Sequence, residues 1–213
     1  SAIGGHNSVH TLSVSGNYLY EADSRTPNIK VFDVTDPSNP TFVRTIVSPS
    51  GGPVHEVTAI DGRLYTAVIN TTGFADIFDI SNVAASAPLI TSFVTGPRAH
   101  TSWPTTNGNF LVVARETSAG DVRIFDISNP AAVTQVSTIS VPTSEAFSSH
   151  QVMVDGDRLY VSWYQAGVRV YDISDPAAPV LVANYDTFPG AVSGFNGCWG
   201  VYSFLGSDRI LAS

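Results

Sequence analysis

The chain has 213 residues, of which 43% are hydrophobic and only 13% are charged. Its 10 basic and 18 acidic residues give a formal charge of -8, which argues against electrostatic binding of nucleic acid. No run of apolar residues approaches the roughly 18 that a membrane span needs. The composition therefore predicts a globular protein that neither binds nucleic acid nor inserts directly into a membrane.

Cysteine and lysine each occur once, and the scarcity of lysine bears on the compartment. Cys198 is the only cysteine, so an intramolecular disulfide and a C-x-x-C motif for zinc or haem are both excluded. Lys30 is the only lysine, whereas Ser, Thr, Asn and Gly are abundant. This composition favours a secreted or cell-surface location.

The predicted strands form repeats along the chain. A turn glycine recurs at separations of 46, 46, 48 and 50 residues, at Gly16, Gly62, Gly108, Gly156 and Gly206. A period of this length is typical of propellers built from four-stranded blades. Complete blades are predicted over residues 10–47, 55–94, 100–141 and 150–185, with a partial fifth over 198–213. We therefore expect an all-β propeller in one domain, residues 1–213, with four complete blades and a partial fifth.

The third strand of each predicted blade has the same plan. The matching segments read IKVFDVTDP, ADIFDISN, VRIFDISNP and VRVYDISDP. Their continuous apolar run predicts a strand covered on both faces. An aspartate follows each run and precedes Ser or Thr, which is typical of a side chain that caps a turn. The predicted structural turn caps are Asp33, Asp79, Asp126 and Asp172.

Four histidines recur at one position of the repeat. His10, His55, His100 and His150 each precede the turn glycine by six to eight residues, at the start of the innermost strand. In a propeller these strand starts surround one mouth of the central channel, so the imidazoles would converge there. Imidazole is a ligand for Zn, Cu, Fe or Ni, which predicts a divalent metal ion on the propeller axis. Two other interpretations stay open, namely structural capping of each strand and acid/base catalysis.

Five aromatic residues break the repeat and therefore become candidates for a partner-binding surface. They are Trp103, Trp163, Tyr164, Phe195 and Trp199. Trp and Tyr are frequent anchors in interfaces because they combine a large apolar body with a polar group. The alternative interpretation is that these side chains fill gaps between blades.

The sequence contains no complete catalytic motif. Three hypotheses for function follow. The first is a non-catalytic extracellular binding or scaffold module whose loops hold a protein or glycan partner. The second is a metal-dependent enzyme on an extracellular polymer, with the histidines as ligands and Glu116 or Glu145 as the base. The third is a structural subunit that pairs with copies of itself in a surface assembly or filament.

The repeated core V-x-V-[FY]-D-[IV]-[ST]-[DN]-P resembles the LVIVD-repeat proteins. The stretch HQVMVDGDRLYVSWYQAGVRVYDISDPAAP from His150, with FNGCWGVYSFLGSDRILAS from Phe195, resembles the bacterial choice-of-anchor B family among them. This resemblance implies a secreted or surface-tethered bacterial β-propeller, outside the cell or in the periplasm, without an established activity. It also predicts that the natural protein continues beyond Ser213. Cys198 departs from the small residue usual in the family.

Overall fold

The computed structural model describes residues 9–206 and 209–213. They form an all-β structure whose only helical element, among these residues, is a short 3-10 turn at Tyr164–Ala166. No helix in this part of the chain is long and apolar enough to cross a membrane. The described residues divide into two compact units at the boundary between Ser102 and Trp103. The prediction of a single domain stays a prediction.

The first unit contains two antiparallel sheets of four strands, each ordered as in the sequence. The first sheet consists of β1 (Thr11–Ser15), β2 (Tyr18–Ala22), β3 (Asn28–Asp33) and β4 (Thr41–Val47). The second consists of β5 (Val54–Ile60), β6 (Arg63–Val68), β7 (Phe74–Asp79) and β8 (Leu89–Val94). These two meanders confirm the first two predicted blades.

The third sheet begins with β9 (Ala99–Pro104), the strand in which the unit boundary falls. It continues with β10 (Phe110–Arg115), β11 (Val122–Asp126) and β12 (Thr134–Ile139). The fourth consists of β13 (Ser149–Asp155), β14 (Arg158–Trp163), β15 (Gly167–Asp172) and β16 (Val180–Tyr185). A two-stranded sheet of β17 (Val201–Tyr202) and β18 (Leu211–Ala212) follows. Four complete blades and a partial fifth are therefore confirmed.

Apolar third strands form the centre of each unit. In the first unit, Val31 in β3 and Phe78 in β7 are among the buried side chains of one continuous cluster. In the second unit, Ile124 in β11 and Tyr171 in β15 belong to the corresponding cluster. Val170 is only partly buried, unlike its counterparts in the earlier repeats. The predicted two-sided coverage therefore holds for three third strands and is incomplete in the fourth.

In each four-stranded sheet, the fourth strand has one extra residue relative to the third strand with which it pairs. The register shifts occur at the same place in each third strand, for example between Val31 and Phe32 and between Val170 and Tyr171. Equivalent shifts occur in the second and third sheets. A bulge of this kind bends the strand and increases its twist. The repeat therefore includes an irregularity that the periodic sequence pattern does not indicate.

The turns after the third strands contain the hydrogen bonds expected of Asx turns. In each, the backbone N–H two residues further on donates to an aspartate Oδ1 over 2.8 to 2.9 Å. The four acceptors are Asp33, Asp79, Asp126 and Asp172. Hydroxyl and backbone donors lower the pKa of all four carboxyl groups. These residues have the structural contacts that their sequence position predicts.

Two hairpin turns that contain an Asp-Gly sequence differ in which two residues form the loop. Between β5 and β6 the loop is Asp61-Gly62, and both residues have positive φ. Between β13 and β14 the loop is Gly156-Asp157, because Asp155 still pairs with Arg158. Asp155 therefore lies in the strand, and the turn of the fourth blade begins one residue later in its Asp-Gly sequence than the turn of the second blade.

Candidate functional site

Three of the four predicted histidines meet in the first unit. The ring centroids of His10 and His55 are 4.0 Å apart, and those of His55 and His100 are also 4.0 Å apart. One nitrogen from each ring lies within 4.8 Å of the other two. His55 and His100 are 8% and 2% exposed, whereas His10 is exposed to solvent. This cluster thus has two buried donors and one at the surface.

A β-bulge positions His55 in this cluster. In the β5–β6 ladder, Val54 pairs with Val68 and Glu56 pairs with Ala67, so His55 is the extra residue. A bulge residue has no partner in the ladder and its side chain is turned away from the regular alternation. The backbone carbonyl of His55 accepts a hydrogen bond from the Thr11 hydroxyl at 3.1 Å. The local geometry of β5 therefore turns His55 out of the regular register, where its ring lies between those of the other two histidines.

A short hydrogen-bond chain orients His100. Its Nδ1 lies 3.2 Å from the hydroxyl of Thr101, and that hydroxyl donates to Oε2 of Glu56 at 2.7 Å. Because a hydroxyl has one proton, Thr101 accepts from an Nδ1–H of His100 while it donates to the carboxylate. This arrangement leaves the lone pair of His100 on Nε2.

Glu56 is the acidic group nearest in sequence to the cluster. Burial raises the pKa of its carboxyl group to about 7, although the hydrogen bond from Thr101 acts in the opposite direction. The residue keeps some exposed surface, but its carboxyl group is largely surrounded by protein atoms. Sequence reasoning missed both Glu56 and Thr101, because their role depends on the bulge and on a contact 45 residues away in sequence.

His150 lies in the second unit and has its own contacts there. Its Nδ1 is 2.5 Å from the backbone carbonyl oxygen of Trp199, and its Nε2 is 3.9 Å from Oε1 of Glu116. β13 also carries an extra residue near this position, so the bulge recurs at a second histidine. His6, which is outside the repeat register, lies outside the described residues.

An aromatic cluster surrounds His150 in the second unit. The ring centroid of Trp199 is 4.9 Å from that of His150 and 5.8 Å from that of Tyr164, and the pair of Trp199 and Tyr164 is T-shaped. Phe195 packs on Tyr164 at 5.4 Å and on Phe147 at 5.0 Å. Trp199 is 51% exposed and Phe195 is 44% exposed. Two aromatic side chains are therefore available at the surface and are held from beneath by other rings.

Two of the five aromatic candidates are not at the surface. Trp163 and Tyr164 are both completely buried, so the expectation that they are exposed anchors is wrong. Trp163 belongs to the hydrophobic core, and the Tyr164 hydroxyl donates to Oε1 of Glu116 at 2.5 Å. Trp103 is partly buried and stacks on Phe204 at 5.7 Å. The end of a strand and an exposed turn have similar sequences, so the local sequence does not indicate that Trp163 and Tyr164 are buried.

A polar cavity of about 310 Å³ lies in the second unit, near the end of the fourth sheet. Its lining includes charged and amide side chains and one aromatic ring, from Glu145, Gln165, Arg169, Asn184, Asp186 and Phe188. Arg169 forms an ion pair with Glu145, and its Nε has no hydrogen-bond partner among the described residues. The cavity thus contains donors and acceptors that are held in place by one another.

Gln165 connects this cavity to the aromatic cluster. Its side-chain nitrogen donates to the carbonyl oxygens of Ser193 and Gly194, and its oxygen accepts from the N–H of Phe147. Gln165 is 3% exposed, and the 3-10 turn places it between the two features. No local sequence pattern indicates these contacts of Gln165, because its partners are backbone groups of remote loops.

Solved structures share this fold at low sequence identity. A protein of Lactobacillus plantarum is similar with a TM-score of 0.73 and 16% identity over 96% of this chain and 63% of its own. A functionally unknown protein of Desulfotomaculum acetoxidans has a TM-score of 0.72 and 14% identity over 96% and 62%. Hydrazine synthase of Kuenenia stuttgartiensis has a TM-score of 0.67 and 13% identity over 91% and 58%. The chain therefore spans about three-fifths of the length of these proteins.

Sequence comparison identifies the repeats directly. No curated protein matches the chain. The model of the LVIVD repeat matches residues 7–47, 106–141 and 148–187, which together are more than half of the chain. These segments include the first, third and fourth blades, and the second blade has the same strand order and the same aspartate turn. The chain belongs to the LVIVD-repeat family of β-propellers.

Proposed function

We propose that the chain is a non-catalytic binding module of a secreted or cell-surface protein, and that its fourth sheet binds a glycan. The observation that carries this proposal is the polar cavity of about 310 Å³ beside β15 and β16. Its volume lies at the small end of the range for ligand pockets, which suits one or two sugar rings. The extracellular location rests on composition and on the resemblance to the choice-of-anchor B family.

The cavity offers the groups that bind sugar hydroxyls. Arg169 presents planar N–H donors, while Asp186 and Glu145 present carboxylate acceptors and Asn184 offers both. The ion pair between Arg169 and Glu145 fixes both side chains before a ligand arrives, which lowers the entropy cost of binding. Phe188 adds an apolar wall against which the C–H face of a sugar packs.

The exposed rings of Trp199 and Phe195 extend this surface. Both belong to the aromatic cluster that rests on Tyr164, and Gln165 ties the loop before Phe195 to the cavity. A longer glycan would therefore occupy the cavity with one residue and stack others on the rings. A protein partner would favour the rings and leave the polar cavity unused, since charged groups are depleted at the centres of protein interfaces.

The test is a glycan microarray, followed by calorimetry with the best oligosaccharide. Arg169→Ala and Asp186→Ala should each lower affinity by at least tenfold, since each removes a hydrogen bond that involves a charged group. Arg158→Ala is the matched control, because Arg158 also forms an ion pair with a carboxylate, that of Asp172, but at the opposite end of β14 and β15. Binding of a purified protein partner by both cavity variants, with no glycan bound by the parent chain, would overturn the proposal.

The enzyme and assembly hypotheses stay predictions. Both candidate bases have partners in the second unit, because Glu145 pairs with Arg169 and Glu116 accepts a hydrogen bond from the Tyr164 hydroxyl. Neither contact favours a role in proton abstraction. In the proposed glycan site, the same contacts keep these side chains rigid.

A further inference from the structure

We propose that His10, His55 and His100 bind one divalent transition-metal ion in the first unit, independently of the glycan site. Their nitrogens lie within 4.8 Å of one another. Zn–N bonds of about 2.0–2.1 Å in a tetrahedral site place the nitrogens about 3.4 Å apart. The three donors therefore need only small side-chain rotations to surround an ion.

The hydrogen bonds around the cluster prepare one donor for a metal. The chain from Glu56 through Thr101 to His100 fixes a proton on Nδ1 and leaves Nε2 as the ligand atom. Metal-binding histidines usually donate their second nitrogen in this way, to a carboxylate or to a carbonyl oxygen, and the contact raises their basicity. Here the Thr101 hydroxyl lies between the His100 ring and the Glu56 carboxylate and transmits the polarisation by that carboxylate.

The backbone also holds the cluster in advance of binding. His55 occupies the bulge of β5, with its carbonyl held by Thr11, and the backbone N–H of His10 donates to the carbonyl oxygen of Ala22 at 2.9 Å. Two of the three rings are buried, so their rotamers are restricted by packing. His55 and His100 lie on strands and His10 directly precedes β1, and ligands held by such elements are positioned more precisely than ligands on loops.

The donor set decides which ions are expected. Three imidazoles with an exposed side at His10 suit Zn²⁺, Cu²⁺, Ni²⁺ or Co²⁺, with further positions open to water or a substrate. Ca²⁺ and Mg²⁺ prefer oxygen ligands and should not compete. A preference for transition metals over Ca²⁺ and Mg²⁺ distinguishes a specific histidine site from non-specific attraction of cations to an acidic protein.

The experiment is a titration of the chelator-treated chain with Co²⁺, in which the d–d absorption bands of the metal report binding. Zn²⁺ is then added to displace the bound Co²⁺. We expect one ion per chain, displaced by Zn²⁺ and unaffected by Ca²⁺. His55→Ala and His100→Ala should each weaken binding by at least about 100-fold, since loss of outer-shell groups alone costs 10–100-fold. His10→Ala should show the same direction with an unchanged fold, because His10 is exposed.

A matched pair of variants tests the relay. Thr101→Val should lower Co²⁺ affinity by about 10–100-fold, whereas Thr101→Ser keeps the hydroxyl and should retain the parent affinity. Circular dichroism of the metal-free variants shows which of them are folded. The proposal is overturned if folded His10→Ala binds Co²⁺ as the parent does, or if the parent binds no stoichiometric ion.

Discussion

The hydroxyl of Thr11 donates a hydrogen bond to the backbone carbonyl oxygen of His55, 44 residues further along the chain. This contact joins the innermost strands of the first two sheets at the point where β5 bulges. We expect Thr11→Val to lower the free energy of unfolding by about 1 kcal/mol, because the carbonyl loses its donor while the side-chain volume stays similar. Urea unfolding measures the change. Thr11→Ser should keep most of the stability; equal loss in both variants would assign the effect to packing.

The loop before Cys198 contains two glycines that make a matched test. Gly197 has φ of +112°, and a Cβ there would lie 2.2 Å from the carbonyl oxygen of Tyr164. Gly194 also has positive φ, but nothing lies within 4 Å of its Cβ position. Gly197→Ala should therefore displace the loop and lower stability by more than the roughly 1–2 kcal/mol expected of Gly194→Ala. Thermal unfolding compares the two, and similar melting temperatures would contradict the packing argument.

The pair of Tyr164 and Glu116 should contribute measurably to stability. The buried hydroxyl donates to the carboxylate at 2.5 Å, and burial together with this carboxylate raises the pKa of Tyr164 well above its usual value. Tyr164→Phe should cost about 1.5–3 kcal/mol, because it removes a donor from a charged acceptor. A double-mutant cycle with Glu116→Gln isolates the pair. A coupling energy near zero would mean that the two groups are only neighbours.

Acid stability should depend on the repeated turn aspartates. Their pKa values are lower in the folded chain than in an unfolded one, so their contribution is complete above about pH 4 and is lost as the pH falls through the folded values. Changing all four to asparagine keeps an acceptor oxygen in each turn and removes the titration. The quadruple variant should therefore lose less stability between pH 5 and pH 2 in urea unfolding. An unchanged pH profile would place the acid-sensitive groups elsewhere.

The repeat and its turns were predictable from sequence because they depend on local chemistry. A glycine with positive φ and an aspartate that accepts from the residue two positions later act within one turn, so Gly62 and Asp79 indicate their structures directly. The convergence of His10, His55 and His100 was also predictable, since equal positions in stacked repeats lie near one another. Periodicity therefore accounts for the frame and for one of its two candidate sites.

The second site was not predictable for a physical reason. Arg169 occupies an ordinary strand position, and its partner Glu145 comes from an irregular loop 24 residues earlier. The burial of Trp163 and Tyr164 follows from how the 3-10 turn folds back, and no local pattern encodes this. Contacts between non-repeating loops need the tertiary structure.

The bulge at His55 has a consequence for how such a chain changes over evolutionary time. A residue that stands outside the ladder hydrogen bonds can be exchanged without altering the register of β5 and β6. Selection on what the protein binds and selection on how it folds then act on different atoms of the same strand. Duplicated blades can keep one frame while each innermost strand acquires or loses a ligand through a single codon.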